Sequence, residues 1–266
     1  MMWLQDGPML PGGRGFTRHI TLIDPDKQSP EVAAKRALVA VECGTSAIFV
    51  GGSTDTGSNI VDATCGAIQE ALELAMFAAS QLPDANEDMW NTPVILFPGG
   101  AHATSSRADG ILFMMLMNSE SRKFLIGEQL AGAPHIAETE LQTIPTGYLV
   151  CAPGGAVGKV GQAKLIHSDE IDLVTAYCQT AEMYGFSTIY LEAGSGALSP
   201  VSVDLIKAAR ASTRCTLLVG GGIRTPEQMK AAALAGADYI VTGTITEEFD
   251  DLNMLKSSLQ SLLNVL

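Results

Sequence analysis

Two kinds of feature in this chain can do chemistry: carboxylates that end apolar runs, and turns built from glycine. Asp24 closes the run His19–Ile23 and opens Asp24-Pro25-Asp26-Lys27. A carboxylate there suits Mg²⁺, which usually takes one or two carboxylates together with substrate phosphates. It equally suits an Asx-type turn ahead of Pro25. Ser53, within Gly51-Gly52-Ser53-Thr54-Asp55, can add a hydroxyl beside it, whereas Asp26 suits solvent or a cap. Glu192 ends Ile189-Tyr190-Leu191, where an unpaired charge is costly. It can bind a hydroxyl or act as a general base, or it can form a strand-end ion pair, for which Arg224 is available.

The glycine turns are Gly194-Ser195-Gly196, Gly220-Gly221-Gly222 and Gly243-Thr244. Glycine lets backbone N–H groups approach an anion closely. One such turn serves as well to reverse the chain. Three of them, with Ser195 and Thr244 as hydroxyl donors, favour phosphate. Other nucleotide patterns fail on spacing. Ser199 stands where GxGxxG needs its third glycine, and Gly154–Lys159 is one residue short of a P-loop, with Val160 in place of Ser/Thr. The latter run belongs to the loop after a fifth strand. His19, His102, His135 and His167 fit no HExxH or triad pattern and read as structural or solvated.

These residues need a scaffold, and the composition limits which one. The chain has 266 residues, 47% hydrophobic and 17% charged, and its mean hydropathy is +0.21. The apolar content excludes a disordered chain. A formal charge of −13 with no Lys/Arg cluster excludes nucleic acid as a partner. No apolar run approaches the roughly 18 residues that span a bilayer, and the first residues lack a signal-peptide pattern. Five scattered cysteines without a CxxC pair suggest thiols in a reducing cytoplasm.

Eight apolar runs predict strands at 19–23, 47–50, 94–97, 110–117, 143–150, 188–191, 216–219 and 239–242. Helical stretches fall near 30–43, 62–80, 120–132, 168–184, 200–211, 225–235 and 246–264. Ser168 and Thr225-Pro226-Glu227 read as helix caps. Eight alternating units predict a single-domain (β/α)₈ TIM barrel over 1–266, with 1–16 as an N-terminal extension that caps the bottom or frays. A doubly wound sheet is the alternative. In a barrel the βα loops at the strand C-termini carry function, and Asp24, Ser53, Glu192 and the three glycine turns all fall there. Strand four's Met-rich LFMMLM can fill irregular space, though most of it reads as barrel core.

Taken together, HITLIDPDK (19–27), IFVGGSTD (48–55), YLEAGSGA (190–197), LLVGGGIRTPEQ (217–228) and AGADYIVTGT (235–244) resemble the geranylgeranylglyceryl phosphate synthases and their bacterial heptaprenylglyceryl relatives. The resemblance implies a Mg²⁺-dependent prenyltransferase that joins geranylgeranyl diphosphate, or a related prenyl diphosphate, to sn-glycerol 1-phosphate. This is the first committed step of archaeal ether-lipid synthesis. It also implies a cytoplasmic homo-oligomer, dimer or hexamer. By position, Asp24 and Ser53 match the family's Mg²⁺ ligands. Tyr190, Leu191, Glu192, Ala193, Gly194, Ser195 and Gly196 match its glycerol-phosphate loop, and Gly221, Gly222, Gly243 and Thr244 match its phosphate turns. Some relatives carry Asn in place of Thr244. Glu192 would orient or deprotonate the acceptor hydroxyl. The rival readings are another phosphate-binding barrel, an isomerase or lyase, and a non-catalytic phosphate- or lipid-binding barrel. The chain lacks DDxxD, since Asp250-Asp251-Leu252-Asn253-Met254 misses the last Asp, so it does not read as a chain-elongating synthase.

Overall fold

A computed structural model describes residues 9–10, 15–52 and 56–266. The strands are β1 (Arg18–Ile23), β2 (Ala47–Gly51), β3 (Val94–Phe97), β4 (Gly110–Leu116), β5 (Gln142–Val150), β6 (Thr188–Glu192), β7 (Thr216–Gly220) and β8 (Tyr239–Thr242). The helices are α1 (Pro30–Glu42), α2 (Ser58–Ser80), α3 (Glu128–Ala137), α4 (Gly155–Val160), α5 (Ile171–Met183), α6 (Val203–Ser212), α7 (Pro226–Leu234), α8 (Thr244–Glu247) and α9 (Leu252–Leu263).

The strands pair in parallel in chain order, and β8 returns to β1 with Arg18 opposite Tyr239. That closure excludes the doubly wound alternative. Strands buried on both faces read as near-continuous apolar runs, which is how β2, β3 and β6 read here. Ile20, Phe49, Ile95, Leu112, Tyr148, Tyr190 and Leu218 fill the barrel. Their alternate neighbours, among them Ile48, Val94, Ile189 and Leu191, pack outward under the helices. At the lower end Leu10 is buried, and its carbonyl accepts from Thr216 Oγ1 at 3.0 Å. Residues 9–10 of the expected extension therefore cap the barrel, while 1–8 and 11–14 lie outside the described residues.

Several expected boundaries move. Ser168 does not cap α5. The helix begins at Ile171, and the carboxylate of Glu170 takes the His167 N–H at 2.7 Å instead. Thr225 does cap α7, in a capping box with Gln228. The stretch expected as one helix at 120–132 is a π-turn over Lys123–Gly127 that runs into α3. The stretch at 246–264 is two helices, the second capped by Asp251. α4 was hidden by its glycines, which are poor helix formers.

A polar seam lies outside the β1–β8 closure. His19 Nδ1 lies 2.6 Å from Thr45 Oγ1 and His19 Nε2 lies 2.8 Å from Thr242 Oγ1, with Thr21 joining Thr45 at 2.8 Å. His19 is structural, as expected. Burial pushes its pKa down from 6.5 to about 3, so the ring is neutral in the fold. As pH falls, the unfolded chain takes up this proton first. The ring's contribution is therefore complete above pH 6.5 and is lost toward about pH 3, by at most about 1.4 kcal/mol per unit. We expect His19→Gln, whose amide can serve both hydroxyls, to flatten the decline in stability between pH 6.5 and about pH 5. Urea unfolding across that interval checks this, and curves parallel to wild type would refute it.

Candidate active site

The C-terminal ends of the strands open into one cavity. It brings together Asp24, Gly52, Tyr190, Glu192, Ser195, Gly196, Gly221, Gly222, Gly243 and Thr244. Three residues of the expected set do not face it. Leu191 and Ala193 alternate outward into the layer beneath the helices, so each can offer a ligand only backbone. The Gly194 N–H is committed to Glu192. Ser53 lies outside the described residues.

Glu192 is the last inward residue of β6 and is 5% exposed. Burial raises its pKa, and two groups oppose the shift: the Gly194 N–H, 2.6 Å from Oε1, and the Tyr190 hydroxyl. Below it the Tyr148 and Tyr190 rings meet at 5.2 Å, and Phe97 packs on both. Space for the carboxylate comes from the next strand. A Cβ on Gly221 would lie 2.3 Å from Glu192 Oε1, and one on Gly220 would lie 2.3 Å from the Tyr190 hydroxyl oxygen. The sequence pattern allowed an ion pair between Glu192 and Arg224, and the fold does not form it. Arg224 lies 3.6 Å from Glu248 instead, because its loop turns away at Gly221 and Gly222, both at positive φ.

Asp24 is half-buried. Its Oδ1 accepts from Asp26 N at 3.0 Å, so the Asx-type turn is present. A Cβ on Gly52 would come within 2.8 Å of Oδ2, which brings the end of β2 directly against the carboxylate. Burial raises the pKa of Asp24. Glu247, the last residue of α8, is likewise raised by burial and then by the charge of Asp24. Two desolvated carboxylates facing one lobe, with oxygen as the only donor type, fit a hard divalent cation.

The Gly154–Lys159 run does reach the site. Gly154 N donates to Ala193 O at 2.9 Å, and a Cβ on Gly194 would strike Gly154 at 2.7 Å. The sequence singled out the Met-rich run of strand four as able to fill irregular space but assigned no residues to an apolar arm, and the structure supplies them. From Tyr148 the cavity continues past Leu112 and Met114 to Phe124, Gly132 and Ile136. The middle of β4, Phe113–Met115, is only half-buried. Strand four thus serves as core and cavity wall together: buried Ile111, Leu112 and Leu116 and half-buried Phe113 and Met114 all line the cavity. Glu247 and Phe97 were missed, because nothing local marks either position.

Five strand ends, three glycine turns and this arm form one continuous surface. The PcrB family model matches residues 15–261. The geranylgeranylglyceryl phosphate synthase of Thermoplasma volcanium is 42% identical over 234 residues, 88% of this chain and 86% of that protein. That of Methanothermobacter marburgensis is 42% identical over 229 residues, 86% of each. Among solved structures, the wild-type GGGPS from Thermoplasma volcanium superimposes with a TM-score of 0.83 at 40% identity, covering 94% of this chain and 92% of that one. The (S)-3-O-geranylgeranylglyceryl phosphate synthase of Thermoplasma acidophilum, solved with sn-glycerol-1-phosphate, gives 0.83 at 36% identity, covering 95% and 94%. A thiamine phosphate pyrophosphorylase from Pyrococcus furiosus, at 12% identity and 0.55, shares the fold alone. On a match that runs through every strand and every loop of the cavity, this chain belongs to the PcrB family.

Proposed function

We propose that this protein transfers a geranylgeranyl or related polyprenyl group from its diphosphate to the C3 hydroxyl of sn-glycerol 1-phosphate, with Mg²⁺ held at Asp24. One observation carries the reading. A single cavity joins an acidic lobe at Asp24 and Glu247, a glycine-turn lobe around buried Glu192, and an apolar arm along β4 and α3. An isomerase or lyase acting on a small phosphoester has no use for that arm. A saturated or allylic chain does.

The reaction forms a C–O bond between the acceptor C3 oxygen and C1 of the prenyl chain, and breaks the bond from C1 to the diphosphate oxygen. The diphosphate leaves with the electron pair, and the hydroxyl proton passes to Glu192. Burial suits Glu192 to that role, because it makes the carboxylate a stronger base than one in water. The Gly194 N–H and the Tyr190 hydroxyl hold the carboxylate in place. Asp24, with Ser53 beside it by resemblance and Glu247 across the lobe, would hold Mg²⁺, which supplies charge neutralisation for the departing diphosphate. The backbone at Gly221, Gly222, Gly243 and Thr244 and the Ser195 hydroxyl would hold the acceptor phosphate, with the N–H groups near the ligand. The arm would take the prenyl tail. No helix among the described residues is long and apolar enough to cross a membrane. The five cysteines are unpaired thiols, which supports a cytoplasmic setting. We infer a homo-oligomer, as the motif resemblance implies.

The direct test is incubation with Mg²⁺, sn-glycerol 1-phosphate and prenyl diphosphates of several lengths, with mass analysis of the ether product. A site that hydrogen-bonds the acceptor hydroxyl rejects its mirror image, so we expect the 1-phosphate to exceed the 3-phosphate by at least roughly 10²-fold in kcat/KM. Equal use of the two enantiomers would remove the assignment.

Asp24→Asn should raise the Mg²⁺ requirement and weaken diphosphate binding while leaving glycerol phosphate affinity nearly intact. Calorimetric titration of each ligand reads this out, and unchanged Mg²⁺ dependence would count against Asp24.

Glu192→Gln keeps the shape and one acceptor oxygen but cannot take a proton, so turnover should fall at least about 10²-fold with acceptor affinity within a few-fold. In wild type, activity should fall as pH drops through the raised pKa, above the ordinary carboxylate range, and the variant should lack that limb. Stability has the opposite sign. The fold disfavours the ionised carboxylate, so its contribution declines as pH rises from the ordinary carboxylate value through the raised one. At neutral pH the variant should therefore melt no lower than wild type. A variant with near-normal kcat would confine Glu192 to binding.

A further inference from the structure

The cavity is charged against its own proposed ligands. Among the described residues that line it, five carry carboxyl groups: Asp24, Glu128, Glu192, Glu247 and Glu248. Arg224 alone carries a cation. Both proposed substrates are polyanions. Mg²⁺ can offset the diphosphate at the Asp24 lobe, but the acceptor phosphate at the glycine turns has no such help. Arg224 stands two residues beyond Gly222, at the mouth between the β7 and β8 turns. Its backbone is anchored, with N donating to Gln228 Oε1 at 2.8 Å in the cap of α7. Its side chain is half exposed, and Nη1 lies 3.6 Å from Glu248 Oε1, beyond hydrogen-bond length. A loose, hydrated ion pair of this kind adds little to stability, so its carboxylate is easily exchanged. A planar guanidinium binds phosphate oxygens through two parallel N–H donors and favours them over such a partner.

We propose that Arg224 is the cationic clamp of the acceptor subsite, exchanging the Glu248 carboxylate for the phosphate oxygens of the incoming glycerol phosphate. Glu248 then acts as a competitor that weakens phosphate binding and gives the guanidinium a place to return to on release. The inference rests on the acceptor chemistry proposed above.

Two variants give opposite signs under this inference and the same sign under its alternative, in which the pair only staples the β7 and β8 loops. Arg224→Ala should weaken sn-glycerol 1-phosphate and inorganic phosphate at least about tenfold, as the loss of a charge-assisted hydrogen bond does. Arg224→Lys should recover part of that loss. Glu248→Gln should tighten both ligands by about two- to fivefold, because it removes the competing charge. Binding of inorganic diphosphate with Mg²⁺ should change in neither, and saturating acceptor should return kcat of Arg224→Ala to near wild type. Calorimetry on the full chain, with melting temperature as a folding check, measures each. If Arg224→Ala binds both phosphates within twofold of wild type, if both variants weaken binding alike, or if the loss falls on diphosphate, the clamp is overturned. Wild type that binds inorganic phosphate in an Arg224-dependent way but ignores sn-glycerol 1-phosphate overturns the functional reading and leaves the clamp standing. Wild type that binds neither phosphate overturns both.

Discussion

A carboxylate held out of water over aromatic rings is the constraint around which the upper end of this barrel is arranged. Closing eight strands forces alternate side chains inward until the interior is packed, so the last inward residue of each strand meets ligands with an apolar floor beneath it. On β6 that residue is Glu192, above Tyr148, Tyr190 and Phe97. Its desolvation is offset by the Gly194 N–H and the Tyr190 hydroxyl. That N–H lies 2.6 Å from the carboxylate, and the missing Cβ of Gly221 leaves room for it. Gly194 also lets the β5 loop close over the β6 loop, since any side chain there would enter the backbone of Gly154. One buried charge thus accounts for glycines on two separate loops.

The electrostatics of the cavity follow from what its occupants must bring. Burial raises the cost of ionising both Asp24 and Glu247, and the charge of Asp24 adds to it at Glu247, an arrangement that is unfavourable until a cation enters. The glycine turns answer an anion with backbone dipoles rather than with side-chain charge. Arg224, parked at the rim on Glu248, is the single lining cation among the described residues. A protein of net charge −13 that handles two polyanions needs its positive charge supplied locally or by metal.

The apolar arm has a different origin. α3 is linked to β4 by the side chain of Gln129, whose Nε2 reaches the Met114 carbonyl, and both elements line the arm. Phe124 of the π-turn ahead of it and Gly132, which sits against Ala101, line the arm opposite Phe113 and Met114. Phe113 and Met114, which line the arm, are half-buried.

Periodicity and strand-end chemistry were legible without any structure. Eight apolar runs with alternating helices specify a closed parallel sheet because each strand must be buried on both faces, and the observed strands differ from the expected ones by at most one residue at one end. Asp24, Glu192 and the glycine turns could be read because strand polarity in a barrel delivers all C-terminal ends to one side. Motif resemblance did not separate Leu191 and Ala193 from Tyr190 and Glu192. Strand alternation does, once the barrel fixes which face is inside. Tertiary structure alone decided the rest. It placed Glu247 beside Asp24, paired Arg224 with Glu248 instead of Glu192, and opened the arm between β4 and α3. Each of these depends on how far one element stands from another, and that distance is set by packing across the whole barrel, which no local run of residues encodes.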